Sequence, residues 1–348
     1  MKSGDFMFNL DEMYFAVESY LSKIDFDKLW KDFKPLKFAL YNNDECFFDG
    51  KYIEKNKKFL GNTSINYNGE MIAIWNVMED IAPIILCSKI IHEMFHGFQA
   101  MNNEKRFPDE MKAIYNYNYL DENLSIKLTE NNLIVELIEC FDVLKFQYLL
   151  ALRKYRAKKF DFEYNYETKI EQIEGVANFI ELEVLKQISV KEYLKKIIDI
   201  KTDILKKDKL FPIRIISYGI GALILTILKD NNISFNEEFN NITFLDSLVL
   251  DSKLDLNPNP LMNLQKELEL FRIKKEEIIN KTLLKNDVIF SGKTNLLGFN
   301  VYNALYLDDF IISYFFVMYG DNENPKIEYG NFVIMTLEEG VINKIYRI

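Results

Sequence analysis

The chain contains only two histidines, and they stand four residues apart in His92-Glu93-Met94-Phe95-His96. On a helix, positions i and i+4 share one face a turn apart, so both imidazoles can grip a single divalent ion. Glu93 sits beside them, where it can take a proton from a water that the ion acidifies. Two histidines scattered at random would fall four apart roughly once in 175 arrangements, and a glutamate directly after the first lowers this to roughly one in two thousand. The spacing is therefore read as a metal site rather than as two packed histidines. Ile84, Ile85, Ile91, Met94, Phe95 and Phe98 supply the apolar faces that would bury the required helix.

Because no third histidine exists, a site needing one shortly after the pair drops out, as does a carboxylate-bridged di-iron bundle with a second Glu-x-x-His. The completing protein ligand must be Asp, Glu, Cys or Tyr, and two histidines with a glutamate form a familiar zinc set. Cys87 lies about 140° round the helix from His92 and is not counted. The best acid is Glu174, in Ile173-Glu174-Gly175-Val176-Ala177-Asn178-Phe179-Ile180-Glu181 within an expected helix. Gly175 costs roughly 1 kcal/mol there relative to alanine, which points to a packing or functional reason. Small residues beside the ligand would let this helix approach the His92–His96 helix closely. Glu171 and Glu181, about one and two turns away, are the fallback ligands. With both histidines committed, a donor to a developing oxyanion must be Tyr or Arg. Tyr218, ahead of Gly219 and Gly221 at a helix start, is the first choice, with Arg153 and Arg156 as weaker options.

An HExxH helix followed well downstream by a helix reading E-G-x-A-x-[FY]-x-E resembles a group of gluzincin-type zinc metallopeptidases. The matching residues are His92, Glu93 and His96, then Glu174, Gly175, Ala177, Phe179 and Glu181. Ser217-Tyr218-Gly219-Ile220-Gly221-Ala222 is similar to the Tyr-x-x-Gly-Ala stretch of such proteins. The resemblance covers roughly residues 70–230. It implies zinc bound by His92, His96 and Glu174, Glu93 as general base, and a peptide or protein as substrate. It also implies a zincin-like fold, in which substrate adds to an exposed strand ahead of the catalytic helix. Gly69–Asn76 is that strand if the order holds, with a plain core strand carrying Trp75 inside as the equal alternative. An inactive, peptidase-like binding or regulatory protein is the rival from another class, and the intact Glu93 speaks against it.

These residues need a scaffold, and the composition allows one. With 49% hydrophobic residues the chain can bury a substantial core. Net charge is −10, with lysines and arginines scattered among acids, which argues against a nucleic-acid partner. The longest apolar stretch, 213–228, is too short and polar to span a bilayer, so no membrane partner is expected. Three dispersed cysteines, Cys46, Cys87 and Cys140, read as free thiols of a reducing compartment, and the start reads as no signal peptide, so the cytoplasm is expected.

Helical spacing over 9–34 ends at Pro35. Short β-prone runs follow at 36–41, 45–48 and 65–67; Asn68-Gly69 marks a tight hairpin, and 70–77 is the strand after it. A helix capped near Asp80, with Pro83 in its first turn, runs to about Met101. Residues 103–129 read as loop or short helices. Helical spacing returns at 130–156, 167–188, 190–207, 213–229 and 260–284. Strands are expected at 288–290, 299–307, 310–319, 332–337 and 341–346, with turns at Gly320–Pro325 and Glu339-Gly340. The expected architecture is α+β: a small antiparallel sheet, a mainly helical body and a β-rich C-terminal segment. Its parts are an N-terminal helical segment 1–35, a zincin-like catalytic domain 36–286 and the segment 287–348.

Overall fold

The computed structural model describes residues 9–254, 256, 258 and 263–348. Helix α1 (Leu10–Leu21) leads through a 3-10 turn to five strands, β1 (Lys37–Tyr41), β2 (Cys46–Phe48), β3 (Lys51–Ile53), β4 (Thr63–Tyr67) and β5 (Glu70–Asn76). Helices α2 (Pro83–Met101), α3 (Glu110–Asn116), α4 (Asp121–Glu139), α5 (Val143–Lys159) and α6 (Asp161–Ile170) follow. A π turn, Glu171–Gly175, joins α6 to α7 (Val176–Ile188), and α8 (Val190–Ile204) and α9 (Ile213–Asp230) come next. After α10 (Asp246–Leu250) and α11 (Gln265–Lys285) the chain turns to strands: β6 (Val288–Phe299), β7 (Leu305–Leu307), β8 (Phe310–Ser313), β9 (Phe316–Gly320), β10 (Pro325–Tyr329), β11 (Phe332–Glu338) and β12 (Val341–Arg347). The chain is α+β, with two sheets and a large helical share, as its periodicities imply. Residues 1–8 of the N-terminal segment and 260–262 of the expected 260–284 helix lie outside the described residues.

Contacts gather into two compact units that interleave along the chain, so residues 36–286 are shared between them. The first comprises residues up to Phe107, Glu171–Thr202 and Tyr218–Leu248. Its sheet has the order β3-β2-β1-β5-β4. Asn68 and Gly69 both take positive φ, 51° and 88°, and close the β4–β5 hairpin with Tyr67 opposite Glu70, as the Asn-Gly signal requires. The sheet is not wholly antiparallel as expected: β1 pairs parallel with β5, Lys37 opposite Ile72 and Tyr41 opposite Asn76. That pairing puts β5 in the interior and leaves β4 at the edge. An edge and an interior strand carry the same alternation, which is why the sequence alone does not separate them.

Both faces of this sheet are covered. Ala39, Tyr41, Ile72 and Ile74 form one buried cluster with Phe59. Phe38 points the other way and stacks on Tyr14 of α1, centroids 4.3 Å apart. Helix α2 crosses that covered side. Its start differs by two residues from expectation: Ala82, not Asp80, precedes the helix, with Pro83 at its first position, where no amide donor is needed. Gly97 marks its closest approach to the sheet, since a Cβ there would lie 2.7 Å from Leu36 Cδ1 and 2.9 Å from Ser64 Oγ.

The second unit comprises Pro108–Ile170, Asp203–Ser217 and Val249–Ile348. Its seven-stranded sheet runs β10-β9-β6-β12-β11-β8-β7, antiparallel throughout. Leu296, Val317, Phe332, Ile334, Ile342 and Ile345 fill one face, and Ile279 of α11 packs with Ile312, Val333 and Tyr346 on the other. The expected 130–156 helix is two helices, and the first begins earlier, at Asp121. The break falls at Cys140–Asp142, where the Asp142 side chain caps α5 by accepting from the Lys145 amide. Strand β10 starts at Pro325, read from sequence only as the end of a turn; proline is tolerated there because β10 is an edge strand.

The helices of this unit hold a buried ionic network. Arg156 donates to both carboxylate oxygens of Glu167 at 2.6 Å and to Glu130 Oε2 at 3.0 Å; Lys127 lies 2.6 Å from Glu167. Arg153 lies 3.7 Å from Glu130. All five side chains are at most 1% exposed. Arg153 and Arg156, the weaker oxyanion candidates, are thus committed to structural ion pairs.

Candidate metal centre

Eleven of the 19 residues of helix α2 are buried, and His92, Glu93 and His96 stand among its few polar side chains. Helical spacing places the two rings one turn apart, centroids 4.8 Å, with their Nε2 atoms 3.1 Å from each other. Glu174 Oε2 lies 3.5 Å from His96 Nε2. The candidate ligand atoms of His92, His96 and Glu174 all lie within 4.8 Å of one another.

Glu174 reaches this locus from the π turn. A π turn inserts one residue into the helical ladder and rotates the side chains around it, a device common where a helix presents a functional group. The turn is braced from two sides. Gln99 Nε2 donates to the Ile173 carbonyl at 3.1 Å. On the other side a Cβ on Gly175 would fall 2.8 Å from Gly221 Cα, and one on Gly221 would fall 2.8 Å from the Glu171 carbonyl. The role of Gly175 is thus corrected: it admits α9, not the His92–His96 helix, and the partner glycine is Gly221. Tyr218 is half-buried on the same stretch of α9, and its carbonyl would be 3.4 Å from that added Cβ, one residue past Glu174.

Each imidazole has a second polar neighbour: Gln99 for His96, which sequence reasoning did not identify, and Glu181 for His92, which it took as a fallback ligand. His96 Nδ1 is 2.8 Å from Gln99 Oε1. Because Gln99 must donate its Nε2 to Ile173, its oxygen faces the ring, so His96 keeps a proton on Nδ1 and Nε2 is the nitrogen that an ion, displacing the second proton, would take. The (i, i+3) spacing from His96 to Gln99 was available in the sequence as a signal. On His92, Nδ1 faces Glu181 Oε2 at 3.8 Å, while Glu181 Oε1 is 3.1 Å from Lys196 Nζ. Glu181 thus stands behind the ring, on the Nδ1 side, and its place is not among the ligand atoms around Nε2. Of Glu171, Glu174 and Glu181, Glu174 is the one within ligand reach.

The charges follow from this burial. His92 is pushed down to about 4, first by burial and then by His96, so its ring is neutral at ordinary pH. Burial works in the same direction on His96, but the hydrogen bond and charge of Glu174 outweigh it and hold His96 up to about 9. Glu93, 9% exposed, is raised by burial to about 7, with His96 pulling the other way. Its backbone carbonyl accepts a short hydrogen bond from the Ser64 hydroxyl of edge strand β4.

Two nitrogens each about 2.0–2.1 Å from a tetrahedral zinc stand about 3.3 Å apart. The 3.1 and 3.5 Å separations seen here are close to that. These two separations suit a small divalent cation, and the third, between His92 and Glu174, falls within the 4.8 Å that bounds all three ligand atoms. All three cysteines are free; Cys87, on α2, is wholly buried, and burial raises its thiol to about 12, away from metal binding. Among the described residues no helix is long and apolar enough to cross a membrane. No protein-family model, curated protein or solved structure matched the chain.

Proposed function

We propose that this protein is a zinc-dependent peptidase in which His92, His96 and Glu174 hold the ion and Glu93 is the general base. The observation that carries the proposal is that a ligand atom each of His92, His96 and Glu174 lies within 4.8 Å of the others, beside a buried glutamate that is not needed as a ligand. When bound, the ion would polarise a scissile carbonyl and acidify a water.

The protein's own residues supply the rest. Glu93, raised to about 7, is poised to take a proton from water near neutral pH and return it to the departing amine, so it serves as base and then acid. Gln99 holds the His96 ring in orientation from behind by a hydrogen bond, and Glu181 faces the His92 ring at 3.8 Å as a charge rather than as a hydrogen-bond partner. Tyr218, in the second turn of α9 rather than at a helix start, is our choice for donor to the oxyanion, on the strength of its backbone's place against the Glu174 turn. An extended substrate would add to β4, the edge strand nearest the site, whose Ser64 is hydrogen-bonded to the backbone of Glu93. Strand β5, the sequence-based choice, has both edges occupied. The mixed sheet crossed by α2 supports a zincin-like arrangement.

The test is Glu93→Gln, assayed by mass spectrometry on a broad peptide mixture with zinc content measured in parallel. We expect zinc retained and cleavage down by about 100-fold or more. Full activity in the variant would refute the role of Glu93. A zinc-loaded wild type that cleaves nothing in the mixture would favour a binding protein built on a peptidase frame.

A further inference from the structure

In the second unit every buried basic side chain but one has a carboxylate partner. Lys127, Arg153 and Arg156 meet Glu130 or Glu167, and Arg214 meets Glu110. The exception is Lys275 of α11, which is 9% exposed. Its Nζ donates to the Tyr306 carbonyl at 2.9 Å and lies 4.5 Å from the Phe271 ring centroid. Among the described residues no carboxylate comes within ion-pair distance of it. A buried ammonium without an anion is unusual, because desolvation penalises the charge and one carbonyl replaces little of its hydration. Burial accordingly pulls Lys275 below the ordinary lysine range, although Asp308, beyond ion-pair distance on the same cavity wall, pulls the other way.

Lys275 also stands on the wall between two hollows of this unit. One is a cavity of about 310 Å³ and the other an adjoining recess of about 320 Å³; Tyr119, Phe271, Lys275 and Leu307 line both. Seven of the twenty residues lining the first are aromatic, five of them the tyrosines Tyr115, Tyr117, Tyr119, Tyr166 and Tyr306, and Glu110, Arg214 and Asp308 line it as well. A cavity of this size lies at the small end of ligand pockets, which run from about 300 to 1,000 Å³. Ring faces on several sides suit a flat, apolar body, and two unused N–H donors on Lys275 suit one anionic group.

We propose that this cavity is a binding site for a small aromatic carboxylate, with the carboxylate on Lys275 and the ring between the tyrosines. The site shares no residue with the candidate metal centre and does not depend on the peptidase reading. The carboxylate would supply the partner that Lys275 lacks, and the tyrosine hydroxyls engaged elsewhere, such as Tyr117 on Glu167, keep their rings fixed as walls.

Binding is measured by calorimetry on the full chain with 3-phenylpropionate, 4-hydroxybenzoate and indole-3-acetate, each beside its uncharged amide. At least one acid should bind with saturation, about tenfold or more tighter than its amide. Lys275→Gln should weaken it by about tenfold or more, and Lys275→Arg should hold it within about threefold. The proposal is overturned if no acid binds below about 10 mM, if amides match acids, or if Lys275→Gln binds as the wild type does. Should Lys275→Gln fail to fold, Ala304→Phe decides, because it fills the cavity and leaves the ammonium in place. Loss of binding there supports the site, and unchanged binding refutes it.

Discussion

Placing a single methyl group on Gly175 tests how the Glu174 turn is held. In Gly175→Ala the new Cβ would lie 2.8 Å from Gly221 Cα, 3.3 Å from Gly221 C and 3.4 Å from the Tyr218 carbonyl oxygen. Carbon atoms rest about 3.5–4.0 Å apart, so the π turn and α9 must separate by at least roughly 0.7 Å. All three neighbours are backbone, and no side chain can rotate out of the way. Overpacking of this kind costs about 1–3 kcal/mol, while alanine regains up to about 1 kcal/mol of helix propensity. The net expectation is a loss of about 1–2 kcal/mol in urea unfolding of the metal-free protein, followed by far-UV circular dichroism. The same shift moves Glu174 away from the histidines, so zinc affinity should fall along with stability. A glycine with room around it would give the opposite sign. Equal or higher stability in Gly175→Ala would refute the close crossing and, with it, the reason for Gly221.

Other expectations rest on single contacts. Gln99→Leu leaves His96 Nδ1 and the Ile173 carbonyl without partners, so zinc affinity by chelator competition should drop about 10–100-fold; an unchanged affinity would remove Gln99 from its orienting role. Because Glu174 holds His96 up to about 9, the stability this group contributes to the metal-free protein is fully present below about pH 6.5 and lost as pH rises through 9. Zinc must displace that proton, so its affinity should climb about tenfold per pH unit between roughly 6.5 and 9; a flat profile over that window contradicts the assignment. Arg156→Met leaves Glu167 to Lys127 and Glu130 to Arg153 at 3.7 Å, removing the one cation that touches both, and should destabilise by about 2–3 kcal/mol in urea; a loss under about 1 kcal/mol would mean the network is redundant.

The local parts of this molecule were legible in its sequence, and the parts set by distant contacts were not. His92, Glu93 and His96 could be read because (i, i+4) spacing on one helix fixes their geometry without any other element. The Asn68-Gly69 hairpin is equally self-contained. Glu174 was accessible through Gly175, although the physical reason differed: the glycine faces Gly221, a partner known only once α9 is in place. The interior position of β5 depends on the parallel pairing with β1, which leaves no mark on either strand. The break between α4 and α5 contains neither glycine nor proline. The Asp142 cap was its one signal, and continuous apolar spacing hid it. Glu181 shows the same limit at the site, since seven residues from Glu174 it could have been a ligand or a support. Only the ring orientation of His92, with Nδ1 towards Glu181, separates the two roles.

The central claim is that one divalent ion is held by His92, His96 and Glu174, and metal analysis of the full chain after zinc loading and removal of excess metal tests it most directly. Close to one zinc per chain is expected in the wild type and in Glu93→Gln, and less than about a tenth in His92→Ala and His96→Ala, with Glu174→Gln well below the wild type. A wild-type chain that retains less than about a tenth of an equivalent, or histidine variants that keep a full one, would contradict it.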